Sequence, residues 1–130
     1  LTKTATSKNG WEKQGTTWYY YENVKVSLGL KKINGSWYYF QTSGAMRTGW
    51  LKDGSKWYYL KSSGEMQTGW LKDKGIWYYF ENSGAMKTDQ WFQVSEKYYY
   101  VNASGELAVD TTIDGFQVDS NGVRVEQASQ

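Results

Sequence analysis

Residues 48 to 70 read "TGWLKDGSKWYYLKSSGEMQTGW", and the folding of this stretch decides the fold of the chain. It runs from Gly-Trp through six residues to Trp-Tyr-Tyr, then to a Ser-Gly pair, a methionine and Thr-Gly-Trp again. Consecutive Trp and Tyr suit a pleated, half-buried surface, and Gly-containing pairs interrupt them every few residues. The stretch therefore reads as a β-hairpin, with a strand at 49–52, a turn at Asp53-Gly54 and a strand at 55–60. Asp-Gly is among the strongest two-residue hairpin signals. With that loop, Lys52 faces Ser55, Leu51 faces Lys56 and Trp50 faces Trp57. Alternation places Tyr59 on the side of the two indoles and Tyr58 and Leu60 on the other.

The same template recurs along the chain. Trp-Tyr-Tyr begins at Trp18, Trp37, Trp57 and Trp77, and Tyr98 heads Tyr99-Tyr100 in a fifth copy. The leading positions are Trp11, Leu30, Trp50, Trp70 and Trp91, and the same register pairs Trp11 with Trp18, Trp70 with Trp77, and Trp91 with Tyr98. Ser-Gly pairs at 43–44, 63–64, 83–84 and 104–105 are followed two places on by Met46, Met66, Met86 and Leu107. Each unit is too short for two helices, and a lone hairpin is marginal in water. Stacked hairpins that bury one another's faces are the repeat-protein answer. The expected fold is all-β, a solenoid of about five aromatic hairpins at roughly 10–29, 30–49, 50–69, 70–90 and 91–110. Residues 111–130 keep turns at Asp114-Gly115 and Asn121-Gly122 without the Trp code and read as a C-terminal cap. Residues 1–8 read as a Ser/Thr/Lys-rich linker ahead of a repeat domain at 9–130. With neither an initiator Met nor a signal-peptide core, the start reads as that of a processed or excised piece.

Composition narrows the function. The 130 residues include 8 Trp, 12 Tyr and 4 Phe, with a mean hydropathy of -0.76, which fits many small aromatic clusters better than one oily centre. A net charge of +2 with scattered lysines gives no basic stripe for nucleic acid. No apolar run of about 18 residues is present, so no membrane insertion by a helix is expected. The absence of His and Cys removes the commonest general base, the commonest activated thiol and thiolate metal sites. Asp53, Asp73 and Asp114 occupy turns, and Glu12, Glu65 and Glu106 occupy exposed repeat positions, so a carboxylate pair for glycoside hydrolysis is not expected. The stretch from Asp119 to Gly122 has half a calcium loop but lacks its spaced carboxylates, and reads as a turn. Neither catalysis nor a cofactor is expected.

Three aromatic faces around a gap suit a quaternary ammonium, which is large, charged and without N–H donors. The alternatives are that the rings are only solenoid core, or that they stack on glucan or other wall sugars. The repeat has no constant Asn, Gln or Asp beside its Trp pair to hold sugar hydroxyls.

Gly-Trp, six residues, Trp-Tyr-Tyr-Phe, then Ser-Gly-Ala-Met and Thr-Gly-Trp resembles the choline-binding repeat of Gram-positive, pneumococcal-type surface proteins, over about residues 9–110. The closing "SGELAVDTTIDGFQVDSNG" is similar to the tail of such proteins. The resemblance implies a left-handed superhelix of β-hairpins and choline cages between consecutive hairpins. Each cage takes two aromatic positions of one hairpin, a tyrosine of the next and a Met-type closing side chain. On matching positions this gives Trp11, Trp18 and Tyr39, then Trp50, Trp57 and Tyr79, then Trp70, Trp77 and Tyr100, with Met46, Met66 and Met86 closing. Alternation selected Tyr39, Tyr59, Tyr79 and Tyr100 over their neighbours. Leu30 deprives the Trp37 and Tyr59 cage of a wall. Tyr98 leaves Trp91/Tyr98 with only Phe116 beyond, and "YENVKVSLG" lacks the Ser-Gly, which is expected to distort the first junction. The implied role is a secreted, non-catalytic module, held non-covalently at the bacterial cell wall by choline of teichoic and lipoteichoic acids. Its attached module could be a hydrolase, an adhesin or none, and homodimer formation through the terminal hairpins is open.

Overall fold

A computed structural model describes residues 8–126, in which all regular elements are strands. The expected linker, apart from Lys8, lies outside the described residues. The chain divides into two compact units between Gln67 and Thr68.

The first unit holds β1 (Gly10–Gln14), β2 (Thr17–Glu22), β3 (Lys25–Val26), β4 (Gly29–Ile33), β5 (Ser36–Phe40), β6 (Gly49–Asp53) and β7 (Lys56–Leu60). They pair as antiparallel sheets β1-β2-β3, β4-β5 and β6-β7. The second unit holds hairpins β8-β9 (Gly69–Asp73, Ile76–Phe80), β10-β11 (Gln90–Val94, Lys97–Val101) and β12-β13 (Thr111–Ile113, Phe116–Val118).

The turns correct the expected register. In β6-β7, Asp53 pairs with Lys56, Lys52 with Trp57, Leu51 with Tyr58 and Trp50 with Tyr59. The loop is thus Gly54-Ser55 rather than Asp53-Gly54. Gly54 takes the first central position at φ 65°, the place where a type II′ turn requires glycine. Asn34-Gly35, Lys74-Gly75 and Ser95-Glu96 instead put both central residues at positive φ, as type I′ turns do. The shift displaces each partner by two residues, so parity survives: Trp50, Trp57 and Tyr59 still share one face. The indoles, however, are diagonal neighbours rather than direct partners.

The most deeply buried part of the core is a ladder of strand-end positions. Phe40 and Leu60 in the first unit and Phe80, Val101 and Val118 in the second are at most 2% exposed. Each closes its hairpin and bridges to the residue six places on: Met46, Met66, Met86, Leu107 and Arg124. That residue also stitches hairpins together. Met46 N–H donates to the Trp18 carbonyl (2.8 Å) and Met66 N–H to the Trp37 carbonyl (2.8 Å). In the second unit Leu107 N–H donates to the Trp77 carbonyl (2.9 Å) and Arg124 N–H to that of Tyr98 (2.8 Å).

The Ser-Gly glycine follows from this stitch. Gly64 has φ 93°, and a Cβ there would collide with the Met46 thioether. At Gly105 and Gly122 a Cβ would come within 2.5 Å of Met86 and Leu107. Successive loops therefore stack glycine on closing side chain.

The first junction departs from the others by a definite route. In place of the Ser-Gly loop, Asn23-Val24 turns the chain at positive φ into β3, where Val26 pairs with Tyr21. Val26 then lies beneath Gly44, as Met46 lies beneath Gly64.

Candidate functional site

Five of the eight tryptophans are exposed, and the other three are half-buried. Trp11, Trp18, Trp37, Trp57 and Trp77 are 36–42% exposed. Each hairpin has two unlike faces: one carries the Trp positions and the second Tyr of Trp-Tyr-Tyr, the other carries the first Tyr and the buried strand-end residue. Within each unit, stacking sets the Trp face of one hairpin against the other face of the next.

In the first unit this assembles Trp11 and Trp18 (ring centroids 6.2 Å apart, planes at 86°) with Tyr38 of β5, 4.9 Å from Trp11. Phe40 backs Trp11 at 5.8 Å. The result is a cavity of about 350 Å³ lined by Trp11, Trp18, Tyr38, Met46 and Ser63. In the second unit Trp70 and Trp77 (6.1 Å, 88°) meet Tyr99 of β11, 4.8 Å from Trp70. Trp70, Trp77, Tyr99, Leu107, Ser120 and Asn121 line a cavity of about 290 Å³. The indoles of each pair stand edge to face, not stacked flat on one another.

The geometry corrects the choice of tyrosine. From the following hairpin come Tyr38 and Tyr99, not Tyr39 and Tyr100. Tyr39 shares the face of Trp37 and lies opposite Leu30 in its own hairpin, so it cannot reach back to Trp11. Tyr59, Tyr79 and Tyr100 likewise sit against their own hairpin's leading indoles, Trp50, Trp70 and Trp91, at 5.2, 4.9 and 5.3 Å. They orient the indole from within, while the neighbouring tyrosine supplies the facing wall. Alternation had both sets correctly on opposite faces; what it lacks is which face looks forward.

Trp50 and Trp57 are brought together at 6.2 Å and 80° in the first unit. Met46 lines its cavity. Met66 holds the same backbone place against Trp37, and Met86 lies beneath Gly105. Leu30 stands 41% exposed in the position of Trp11. Trp91, Tyr98 and Phe116 do converge, with Trp91 and Phe116 5.8 Å apart.

Lys13, Lys52 and Lys72, each directly cross-strand from the second Trp of its hairpin, hold their ammonium groups 5.8, 5.9 and 5.8 Å from that ring's centroid. Burial, with Glu65 nearby, pushes the Tyr38 phenol above its ordinary pKa, so this wall is neutral across the physiological range. The Tyr100 phenol is raised by desolvation, reinforced by Asp89, to which its O–H donates (3.3 Å).

Sequence reasoning missed Ser63, Ser120, Asn121 and Arg124. Their signal was present: "FQVDSNGVR" (116–124) aligns with "YYFQTSGAM" (38–46), which puts Asn121 on the serine position and Arg124 on the methionine position. Among the described residues no group of three or more His, Cys, Asp or Glu could hold a metal ion, and no helix is long and apolar enough to cross a membrane.

These hairpins have known counterparts. The choline-binding repeat family matches residues 28–68, 52–91 and 67–111. Choline-binding protein F (CbpF) of Streptococcus pneumoniae, solved in complex with ipratropium, is 47% identical, with a TM-score of 0.85 over 92% of this chain. The chain spans only 39% of that structure's length. The choline binding domain of Spr1274, also from Streptococcus pneumoniae, is 51% identical with a TM-score of 0.60, over 62% of this chain and 96% of its own. The modular autolysin LytC of Streptococcus pneumoniae shares the fold at 24% identity, with a TM-score of 0.77 over 90% of this chain and 28% of its own. No curated protein sequence matches. Stacked hairpins, a Trp pair on each intact face and a match across residues 28–111 lead to one assignment: the chain belongs to the choline-binding repeat family, with an all-β solenoid fold of stacked β-hairpins.

Proposed function

We propose that this chain is a non-catalytic cell-wall-binding module whose aromatic cages take choline. The carrying observation is the cavity at Trp11, Trp18 and Tyr38, repeated at Trp70, Trp77 and Tyr99: three aromatic walls, a Met or Leu closing residue and a small polar rim, all uncharged. An ordinary ammonium needs acceptors for its N–H groups and a trimethylated nitrogen needs none, so such walls select the quaternary ion. A carboxylate counter-charge is unnecessary because the ring quadrupoles supply the negative potential.

Each ring contributes about 0.5–2 kcal/mol. Three walls, offset by ordering costs, give on the order of 4 kcal/mol, which is about millimolar affinity. Weak sites repeated along one chain gain avidity on a polymer bearing many choline groups. Choline-bearing teichoic and lipoteichoic acids are such polymers, which places the protein on the cell surface without a covalent link. That CbpF has been solved in the presence of a peptidoglycan analogue is in keeping with a wall ligand.

The test is a choline titration followed by tryptophan fluorescence and melting temperature. Millimolar choline is expected to shift both. Tyr38→Leu is expected to weaken the response of the Trp11 and Trp18 cavity about tenfold, an effect of one aromatic wall, while Tyr39→Leu leaves it nearly intact. No change with choline, together with retention on insoluble glucan that choline does not reverse, would move the reading to carbohydrate stacking.

A further inference from the structure

The second unit contains a further aromatic cage, and its occupant is part of the chain. Trp91 holds the place of Trp70, Tyr98 that of Trp77, and Phe116 that of Tyr99. The bridge from Val118 to Arg124 repeats that from Val101 to Leu107, and the Arg124 N–H donates to the Tyr98 carbonyl as that of Leu107 does to Trp77. Arg124 therefore occupies the closing position. In the cavities at Trp11/Trp18 and Trp70/Trp77, that position holds Met46 and Leu107, which line the space and leave it open.

Arg124 instead enters its cage. Its guanidinium carbon lies 4.4 Å from the Tyr98 ring centroid, 4.4 Å from that of Phe116 and 5.5 Å from that of Trp91. All three fall within the roughly 6 Å at which a cation is attracted by a ring face. Nearby, the Trp91 indole N–H donates to the Asp114 carboxylate (3.0 Å), which fixes the ring and adds negative charge on this side of the cap.

We infer that the cage of Trp91, Tyr98 and Phe116 is a quaternary-ammonium site closed by the chain's own cation, and that Arg124 alone keeps choline out of it. This rests on the choline reading of the open cages. A guanidinium is planar and weakly hydrated, so it gives up its water more readily than a lysine ammonium and lies well against aromatic faces. It is also tethered a few bonds from the Tyr98 backbone, at an effective concentration on the order of millimolar or more. A ligand of about millimolar affinity competes poorly with a cation held that way. The same contact pins β12-β13, which is short and lacks tryptophan, onto the hairpin before it. This hairpin thus carries an internal replacement for the ligand.

The experiment uses the whole 130-residue chain and choline chloride. Indole N–H resonances are followed by NMR, with Trp91 assigned by its loss in Trp91→Phe, and the number of sites is read by calorimetry. In the wild type, choline is expected to move the Trp70 and Trp77 signals and leave Trp91 in place. In Arg124→Met, which installs the uncharged residue found at Met46, Met66 and Met86, Trp91 should respond as well and the site count should rise by one. Arg124→Lys, still a tethered cation, should remain closed. If Arg124→Met loses the cap on melting, Arg124→Gln takes its place, since it removes the charge and keeps much of the stem. A wild-type Trp91 signal that moves with choline overturns the inference. So does a folded Arg124→Met or Arg124→Gln with no added site while Trp70 and Trp77 respond. If no indole responds in any variant, the choline reading itself falls, and this inference with it.

Discussion

Trp11 stands opposite Tyr20 in the first hairpin, and Leu30 stands opposite Tyr39 in the second. The two hairpins share a five-rung register, a two-residue loop, and a carbonyl on the second Trp that receives a methionine N–H from a later loop. The backbone repeat therefore continues through a copy whose cage lacks a wall. Two codes share one template. The strand-end residue, the Ser-Gly glycine and the closing N–H stack the hairpins, while the Trp pair and the facing tyrosine shape the cavity. The first code can be kept where the second is lost.

The sharpest way to break this division is to attack each code in turn. Leu60 is fully buried at a strand end, and Leu60→Ala is expected to cost about 2–5 kcal/mol, the usual range for an unfilled core leucine. Trp37 is the larger side chain but is 42% exposed, so Trp37→Leu should cost less than half as much. Urea denaturation of both variants decides the matter. Equal losses would mean that the tryptophans carry the stacking and that the two codes are one.

A smaller effect sharpens the same point in both directions. Leu30→Trp supplies the missing wall beside Trp37, with Tyr58 in the place of Tyr38 and Met66 in that of Met46. It is expected to add one choline site to the calorimetric count. The reciprocal Trp18→Leu should weaken the Trp11 cavity by about 1–2 kcal/mol, roughly a fivefold to thirtyfold change in Kd. Should Leu30→Trp fold and add nothing, the second hairpin is disabled by something other than its missing ring.

How much of this was legible depends on which interaction carried it. The repeat, the hairpins and the one-sided Trp pair could be read because alternation in a strand is strict, and parity survived even a misplaced turn. The turn itself could not be placed from Asp53-Gly54, because Gly54 serves equally as the second residue of one turn type or the first of another. Tyr38 and Tyr99 escaped for a different reason. Whether a face looks toward the preceding or the following hairpin is a property of stacking, and no residue within one hairpin encodes it. Arg124 was hidden by the degenerate spelling of residues 111–125: only aligning Gly122 with Gly44 puts the arginine where a methionine belongs.

The first junction offers the smallest effect, and it tests whether a departure from the template is strained or only different. After the second hairpin the chain turns through Ser43-Gly44; after the first it turns through Asn23-Val24, where Val24 has φ 64° and a side chain 45% exposed. A left-handed conformation costs an L-residue about 1–2 kcal/mol, and a β-branched one is least suited to it. The conformation persists because the Val24 N–H donates to the Lys8 carbonyl and the Asn23 N–H to the Asn9 side chain, both at 3.0 Å. Val24→Gly keeps both donors and removes the strain, but it also frees the unfolded chain, at a cost of about 0.5–1 kcal/mol. The balance is a gain of about 0.5 kcal/mol, measurable as a higher urea midpoint at unchanged slope. A loss of stability instead would show that Val24 makes contacts worth more than its strain, and that this junction is as well fitted as the Ser-Gly loops it replaces.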